Sequence, residues 1–187
     1  QTLTRFFEFI GNSFMIFARA ARFILTGAVN ARDTISQMSA MGVASLPIVM
    51  ITVAFSGAVL SLYMAQIVVR WGVGSLTGAV VGIAIVREIG PVLTAVVVAA
   101  RAGSAIAAEI GSMKVTEQID ALRALAVSPV QYLVVPRLVA GIVMLPVLTI
   151  FADIVGTAGG YFVAVVNGVA AGSFLLALKQ QVVPYDV

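Results

Sequence analysis

Charged positions cut this chain into long apolar runs. None lies between Asp33 and Arg70. Between Arg70 and Glu109 the only charged residues are Arg87, Glu88 and Arg101, and from Leu138 to Leu178 the only one is Asp153. A helix needs about 20 mainly apolar residues to cross a bilayer, so the runs predict membrane-spanning helices at roughly 45–67, 76–107 and 138–166. No stretch alternates with the period of two that a transmembrane β-barrel needs.

The first 30 residues follow another rhythm. Phe6, Ile10, Phe14, Phe17, Ala21 and Ile24 recur at spacings of four and three. At about 100° per residue, Arg5, Glu8, Asn12, Arg19 and Arg22 fall within one arc, interrupted by Met15 and Phe23. This predicts an amphipathic helix within 1–30 that lies in the membrane interface. It lacks the short apolar core and small-residue cleavage site of a secretory signal.

Composition sharpens this picture. Of 187 residues, 61% are apolar and 10% charged, where soluble domains carry about 25% charged residues. Mean hydropathy is +1.11. The expected fold is therefore an all-α integral membrane protein: one interfacial helix and a bundle of three spans. Cysteine and histidine are both absent, which excludes thiol chemistry and the commonest general base and metal ligand. No metal site and no catalytic residue are expected. The net charge of +3 is scattered, which fits positive-inside loops better than nucleic acid. Arg5, Arg19, Arg22 and Arg32 precede the first span, and Lys114, Arg123 and Arg137 follow the second. Both segments are thus expected on the cytoplasmic side, leaving the C-terminus outside. Gly74, Gly78 and Gly82, then Ala99, Gly103, Ala107 and Gly111, then Gly156 and Gly160, form small-residue faces suited to close helix packing.

Arg87 and Glu88 stand side by side within the second span. A charge in hydrocarbon costs several kcal/mol unless it is paired or wetted, and adjacent helical residues diverge by about 100°. The pair is either an inter-helix salt bridge or the polar lining of a substrate path, and the second is preferred. Tyr63 and Gln66, near the outer end of the first span, are weaker candidates for the same lining. Asp153 is expected to pair with an arginine of a neighbouring helix. No P-loop sequence is present, so any ATP belongs to a partner.

Residues 109–129, EIGSMKVTEQIDALRALAVSP, predict a short helix at roughly 117–127, with Thr116 as N-cap and Ser128-Pro129 as its stop. Val115, Ile119, Leu122 and Ala126 share one face, with Glu117, Asp120 and Arg123 opposite. The segment is either a solvated connector or a docking helix for a cytoplasmic partner.

The run IVREIGPVLTAVVVAARAGSAIAAEIGSMKVTEQIDALRALAVSPVQYLVVPRLVAG, residues 85–141, closely resembles the MlaE permease family of lipid-transporting ABC systems. The match is unbroken through REIGP, RAGSAIAAEIG, KVTEQIDAL and the P-x-x-Y-L-V-V-P-R stretch, and extends more loosely from about residue 30 to 175. The resemblance implies one permease domain over 1–187 in a bacterial inner membrane, moving phospholipid between that membrane and the outer envelope. It implies a homodimer, a cytoplasmic ABC ATPase holding ATP and Mg, a mammalian-cell-entry (MCE) domain partner and a small STAS-type regulator. It makes 109–129 a coupling segment, with Glu109, Thr116, Glu117, Asp120 and Arg123 facing the ATPase, and it makes Arg87, Glu88, Tyr63 and Gln66 candidates for the lipid pocket. The family typically has five spans, so two are expected to be missing after Pro184-Tyr185-Asp186-Val187. The rival readings are a secondary transporter or channel subunit relaying ions through Arg87, Glu88 and Asp153, and a relative that carries sterol or another lipid.

Overall fold

The computed structural model describes residues 2–27, 29–70 and 76–182, and among these every regular element is helical. The elements are α1 (Thr2–Leu25), α2 (Ala31–Met38), α3 (Leu46–Arg70), α4 (Thr77–Ala84), α5 (Gly90–Val115), α6 (Gln118–Ala124), α7 (Val135–Val166) and α8 (Ala171–Val182). Three π-helical turns join them, at Ser39–Val43, Ile85–Ile89 and Val130–Val134. The second and third π turns run directly into α5 and α7, and a turn at residues 44–45 separates the first from α3. The segments long and apolar enough to cross a membrane are accordingly Ala31–Val68, Thr77–Val115 and Val130–Val166. They exceed the lengths expected from sequence because hydropathy marks only their apolar middles. The protein is an all-helical, multi-pass membrane protein. Gly74 and the last four residues lie outside the described residues.

The chain forms two compact units, 1–41 with 102–144 and 42–101 with 145–187. In the first, α1 packs on the π turn Val130–Val134. Ala20 is its buried point, whereas Phe6, Phe9, Phe14 and Phe17 are exposed. Gly27 ends this helix in the left-handed conformation, its N–H bonded to Ile24 O. Asn30 then caps α2, accepting from Arg32 N.

The second unit is built on glycine contacts between α3, α4, α7 and α8. A β-carbon on Gly57 of α3 would run into the Gly156 carbonyl of α7, and one on Gly78 of α4 into the Phe174 backbone of α8. Backbones this close exchange dispersion contacts along their length, which is how helices associate where lipid supplies no hydrophobic drive. Ile85, Val81 and Phe174 are fully buried among them. The α7 helix ends where Gly168 (φ 89°) donates to Val165 O and Val169 to Ala164 O, the two bonds of a Schellman cap. That turn launches α8, which is too short to span a bilayer and was not anticipated from sequence. Its Tyr161–Phe174 contact is edge-to-face at 5.5 Å.

Candidate functional site

Arg87 and Glu88 sit inside the π turn Ile85–Ile89, in the first third of the second apolar segment, Thr77–Val115. Pro91 has no N–H to give Arg87 O, and its ring would crowd that carbonyl in a regular helix. The turn widens instead, and Gly90 N–H bonds Ile85 O, five residues back. Ile85 and Gly90, at its two ends, are buried, while Arg87 and Glu88 between them are exposed. Two adjacent charges are thereby presented from one local bulge, a geometry that recurs at functional sites.

Tyr63 and Gln66 are exposed on α3. Tyr63 lines a shallow depression of about 430 Å³ with Phe55, Ser56, Val59 and Leu60, all from α3 itself. That lining includes none of Arg87, Glu88 and Gln66. Asp153 does not pair with an arginine through its Oδ1, which is buried without a hydrogen-bond partner. The expected ion pair fails at that atom because the neighbour there is Gly90, which has no side chain. The second unit holds a further polar contact inside an apolar span: Arg101 Nη1 donates to the buried Ser45 Oγ at 3.1 Å.

The 109–129 segment differs from its sequence reading at both ends. The short helix is Gln118–Ala124, not 117–127. Thr116 is not its cap, because the hydroxyl donates to Ser112 O at 2.9 Å and accepts from Gln118 Nε2. The capping position is Glu117, in the left-handed conformation (φ 57°) and without a side-chain cap. At the other end Ala126 donates to Arg123 O and Val127 to Leu122 O, again a Schellman arrangement, with Ala126 at φ 57° where glycine is usual. The helix therefore stops four residues before Ser128.

Asp120 links this helix to the end of α5: its carboxylate accepts from Lys114 Nζ at 2.7 Å and from Arg123 Nη1 at 2.8 Å. The hydrogen bond from Lys114 is the main force holding the Asp120 carboxyl below its usual range. Val115 and Leu125 are exposed beside this network, 84% and 75% accessible. Glu117 is also exposed. Glu109 is engaged differently. Its Oε2 accepts from Arg137 Nη2 at 2.6 Å, and Arg137, 8% accessible, also donates to Leu133 O. A polar cavity of about 460 Å³ adjoins this pair, lined in part by Ser36, Gln37, Ser112, Gln118 and Tyr132. Arg137 had counted in the sequence only as a loop charge. Its burial depends on contacts between residues 28 apart, which no local pattern announces.

The family model for permease MlaE matches residues 34–187. The chain belongs to the MlaE permease family. It is 42% identical over 164 residues to a probable ABC transporter permease of Synechocystis, covering 88% of this chain and 62% of that one. It is 36% identical over 198 residues to the intermembrane phospholipid transport system permease protein MlaE of Haemophilus influenzae, covering 99% and 76%. It is 35% identical over 165 residues to the chloroplastic trigalactosyldiacylglycerol 1 protein of Arabidopsis thaliana, covering 88% and 47%. The chain spans about 60% of the length of the first curated relatives it matches. The REIGP and RAGSAIAAEIG runs that carry the MlaE resemblance correspond to the π turn and to the middle of α5.

Proposed function

We propose that this MlaE-family chain is the membrane permease part of an ATP-driven lipid transporter, moving phospholipid between a bacterial inner membrane and the outer envelope. The observation that carries this reading is the π turn, which presents Arg87 and Glu88 together from within an apolar segment. A guanidinium suits a lipid phosphate, and a carboxylate suits a headgroup amine or the guanidinium itself. Tyr63 and Gln66 complete the polar lining once a second permease copy is present. Open space beside Gly103 and Gly111 supports close approach of such a copy. The exposed Val115, Leu125, Glu117 and the Asp120 network form the surface toward a cytoplasmic ABC ATPase, which binds ATP and Mg and performs the hydrolysis. The N-terminus then lies in the cytoplasm, and an MCE-domain protein receives or delivers lipid outside, with a STAS-type protein regulating the ATPase. The permease performs no catalysis itself.

Purification of the full permease with its ATPase, followed by mass spectrometry of the bound lipid, tests this. Phospholipid retained by the parent and lost in Arg87→Ala, with the complex still assembled, is the expected result. Full lipid occupancy in Arg87→Ala together with a large loss of thermal stability overturns the pocket assignment and makes the residue a structural pair.

A further inference from the structure

The π turn Ile85–Ile89 is gripped from one side by a single face of α7. Asp153, Gly156 and Gly160 lie on that face, at spacings of three and four residues. A β-carbon on Gly160 would stand 2.8 Å from Val81, and one on Gly156 would stand 3.0 Å from Ile85 Cγ2. Gly57 of α3 also closes on Ile85, its β-carbon position 2.9 Å from Ile85 Cδ1. At the far end of the turn the relation inverts. The glycine is on the turn, at position 90, and the Asp153 Oδ1 occupies the place where its β-carbon would stand.

This has a geometric consequence for Arg87 and Glu88. In a regular α-helix, residues five apart point about 140° away from each other. Ile85 and Gly90 would then not both face α7. With the i to i−5 bond from Gly90 N to Ile85 O, they close one turn and both face inward. The two residues midway between them, Arg87 and Glu88, must face out. Asp153 Oδ1 makes no hydrogen bond, nor does Thr94 Oγ1, buried one turn beyond Gly90 on the same side of α5. A buried carboxylate oxygen without a partner lowers stability, so its place in the fold calls for another account. Its shape supplies one: it is a wedge that fills the space against Gly90, on the inner side of the wide turn that Pro91 opens.

We propose that Asp153, seated against Gly90, is a positioning residue that holds the π turn in the register presenting Arg87 and Glu88 to the lipid headgroup. It rests on the reading of those two residues given above. Asp153 touches no lipid in this scheme; it acts through the backbone of the turn.

The chain lacks cysteine, which makes single-cysteine spin labels clean reporters. Labels are placed in turn at positions 86, 87, 88 and 89 of the full permease, complexed with its ATPase in phospholipid nanodiscs. Collision rates with oxygen and with a water-soluble nickel chelate give an accessibility profile along the turn. Bound phospholipid is measured in parallel in unlabelled protein. With native Asp153 the profile peaks at 87 and 88. Asp153→Asn keeps the wedge and is expected to keep both profile and lipid. Asp153→Ala is expected to move the peak by one position and to lower bound lipid about tenfold. Gly90→Ala alone collides with the carboxylate, whereas Gly90→Ala with Asp153→Ala refills the space from the other side. The double variant is expected to recover both readouts, and it keeps the test decisive should a single variant fail to fold.

An unshifted profile in Asp153→Ala overturns the positioning role. So does a double variant with native profile and stability but no lipid, because Asp153 would then act through its charge. A shifted profile with full lipid occupancy leaves the wedge standing and removes Arg87 and Glu88 from the headgroup site, and with them the functional half of the proposal.

Discussion

Arg137 and Glu109 meet at 2.6 Å with unequal burial: the arginine side chain is 8% accessible and the glutamate 54%. The inequality decides which partner the fold needs more. Glu109 freed of its partner regains water. Arg137 freed of Glu109 remains enclosed, its Nη1 donating to Leu133 O and its Nε already without an acceptor. Glu109→Ala is therefore expected to destabilise the protein by about 2 kcal/mol, the usual consequence of leaving one member of a buried pair alone, reduced for the half-exposed carboxylate. Thermal unfolding in detergent measures this. A stability unchanged by Glu109→Ala, with only ATPase association lost, would return Glu109 to the coupling surface alone.

Ala126 and Glu117 bracket α6 in left-handed conformations that penalise a β-carbon. Ala126→Gly removes that strain without touching a buried contact, since Ala126 is exposed. The variant is expected to stabilise α6 by about 0.5–1 kcal/mol, through the same preference that places glycine at helix C-termini. Slower amide exchange across residues 118–124 is the readout. Faster exchange would mean that flexibility added to the unfolded segment outweighs relieved strain.

The coupling surface is testable through charge and pH. Reversing Glu117 and Asp120 together to Lys is expected to uncouple the ATPase while leaving the permease folded, because rim charges act mainly on association. Unchanged ATPase association and lipid-stimulated hydrolysis would remove this surface from the interface. The Asp120 carboxyl titrates below its usual value, so its ion pairs are complete above that value and are lost only as pH falls through the lowered one. Association through Asp120 is accordingly expected to be flat between about pH 8 and 5 and to weaken only below about pH 4. A carboxyl-carbon NMR titration of Asp120 locates the midpoint. A midpoint above the ordinary aspartate range would contradict the geometry.

Two classes of glycine should respond oppositely to the same change. Gly78→Ala forces a β-carbon into the Phe174 backbone, which has no rotamer to yield, and should cost 1–3 kcal/mol or prevent folding, in the range of about 1–3 for overpacking. Gly103→Ala and Gly111→Ala each add a β-carbon that meets nothing within 4 Å among the described residues. They should leave protomer folding intact and, if a second copy packs on that face, shift the dimer toward monomer. Native mass spectrometry of the three variants separates folding from association. A fully dimeric Gly103→Ala, Gly111→Ala double variant would place the dimer contact elsewhere.

Much of the architecture was legible in the chain. Uncharged runs locate the apolar segments because an unpaired, unwetted charge in hydrocarbon is costly, a rule that acts residue by residue. The amphipathic pattern of α1 is local in the same sense. The helix 118–124 was visible in outline, but its ends were not. Thr116 looks like a cap in one dimension, yet its hydroxyl has a nearer carbonyl at Ser112, and Ala126 adopts a conformation that its residue type does not advertise. The α8 helix was missed because 12 residues after a glycine turn carry too weak a pattern, while its burial comes from Phe174 against α4.

The sequence by itself determined that the chain is helical and membrane-spanning, where its apolar segments run, and that Arg87 and Glu88 stand side by side within the second of them. These follow from local hydropathy and spacing. Only the tertiary structure decided that those charges occupy a π turn, that the Asp153 Oδ1 lies against Gly90, and that Arg137 is buried on Glu109. Each of these depends on which helix faces meet, and helix faces meet through shape. A missing β-carbon at Gly57, Gly90 or Gly156 acquires its meaning from the residue that another helix brings into the gap.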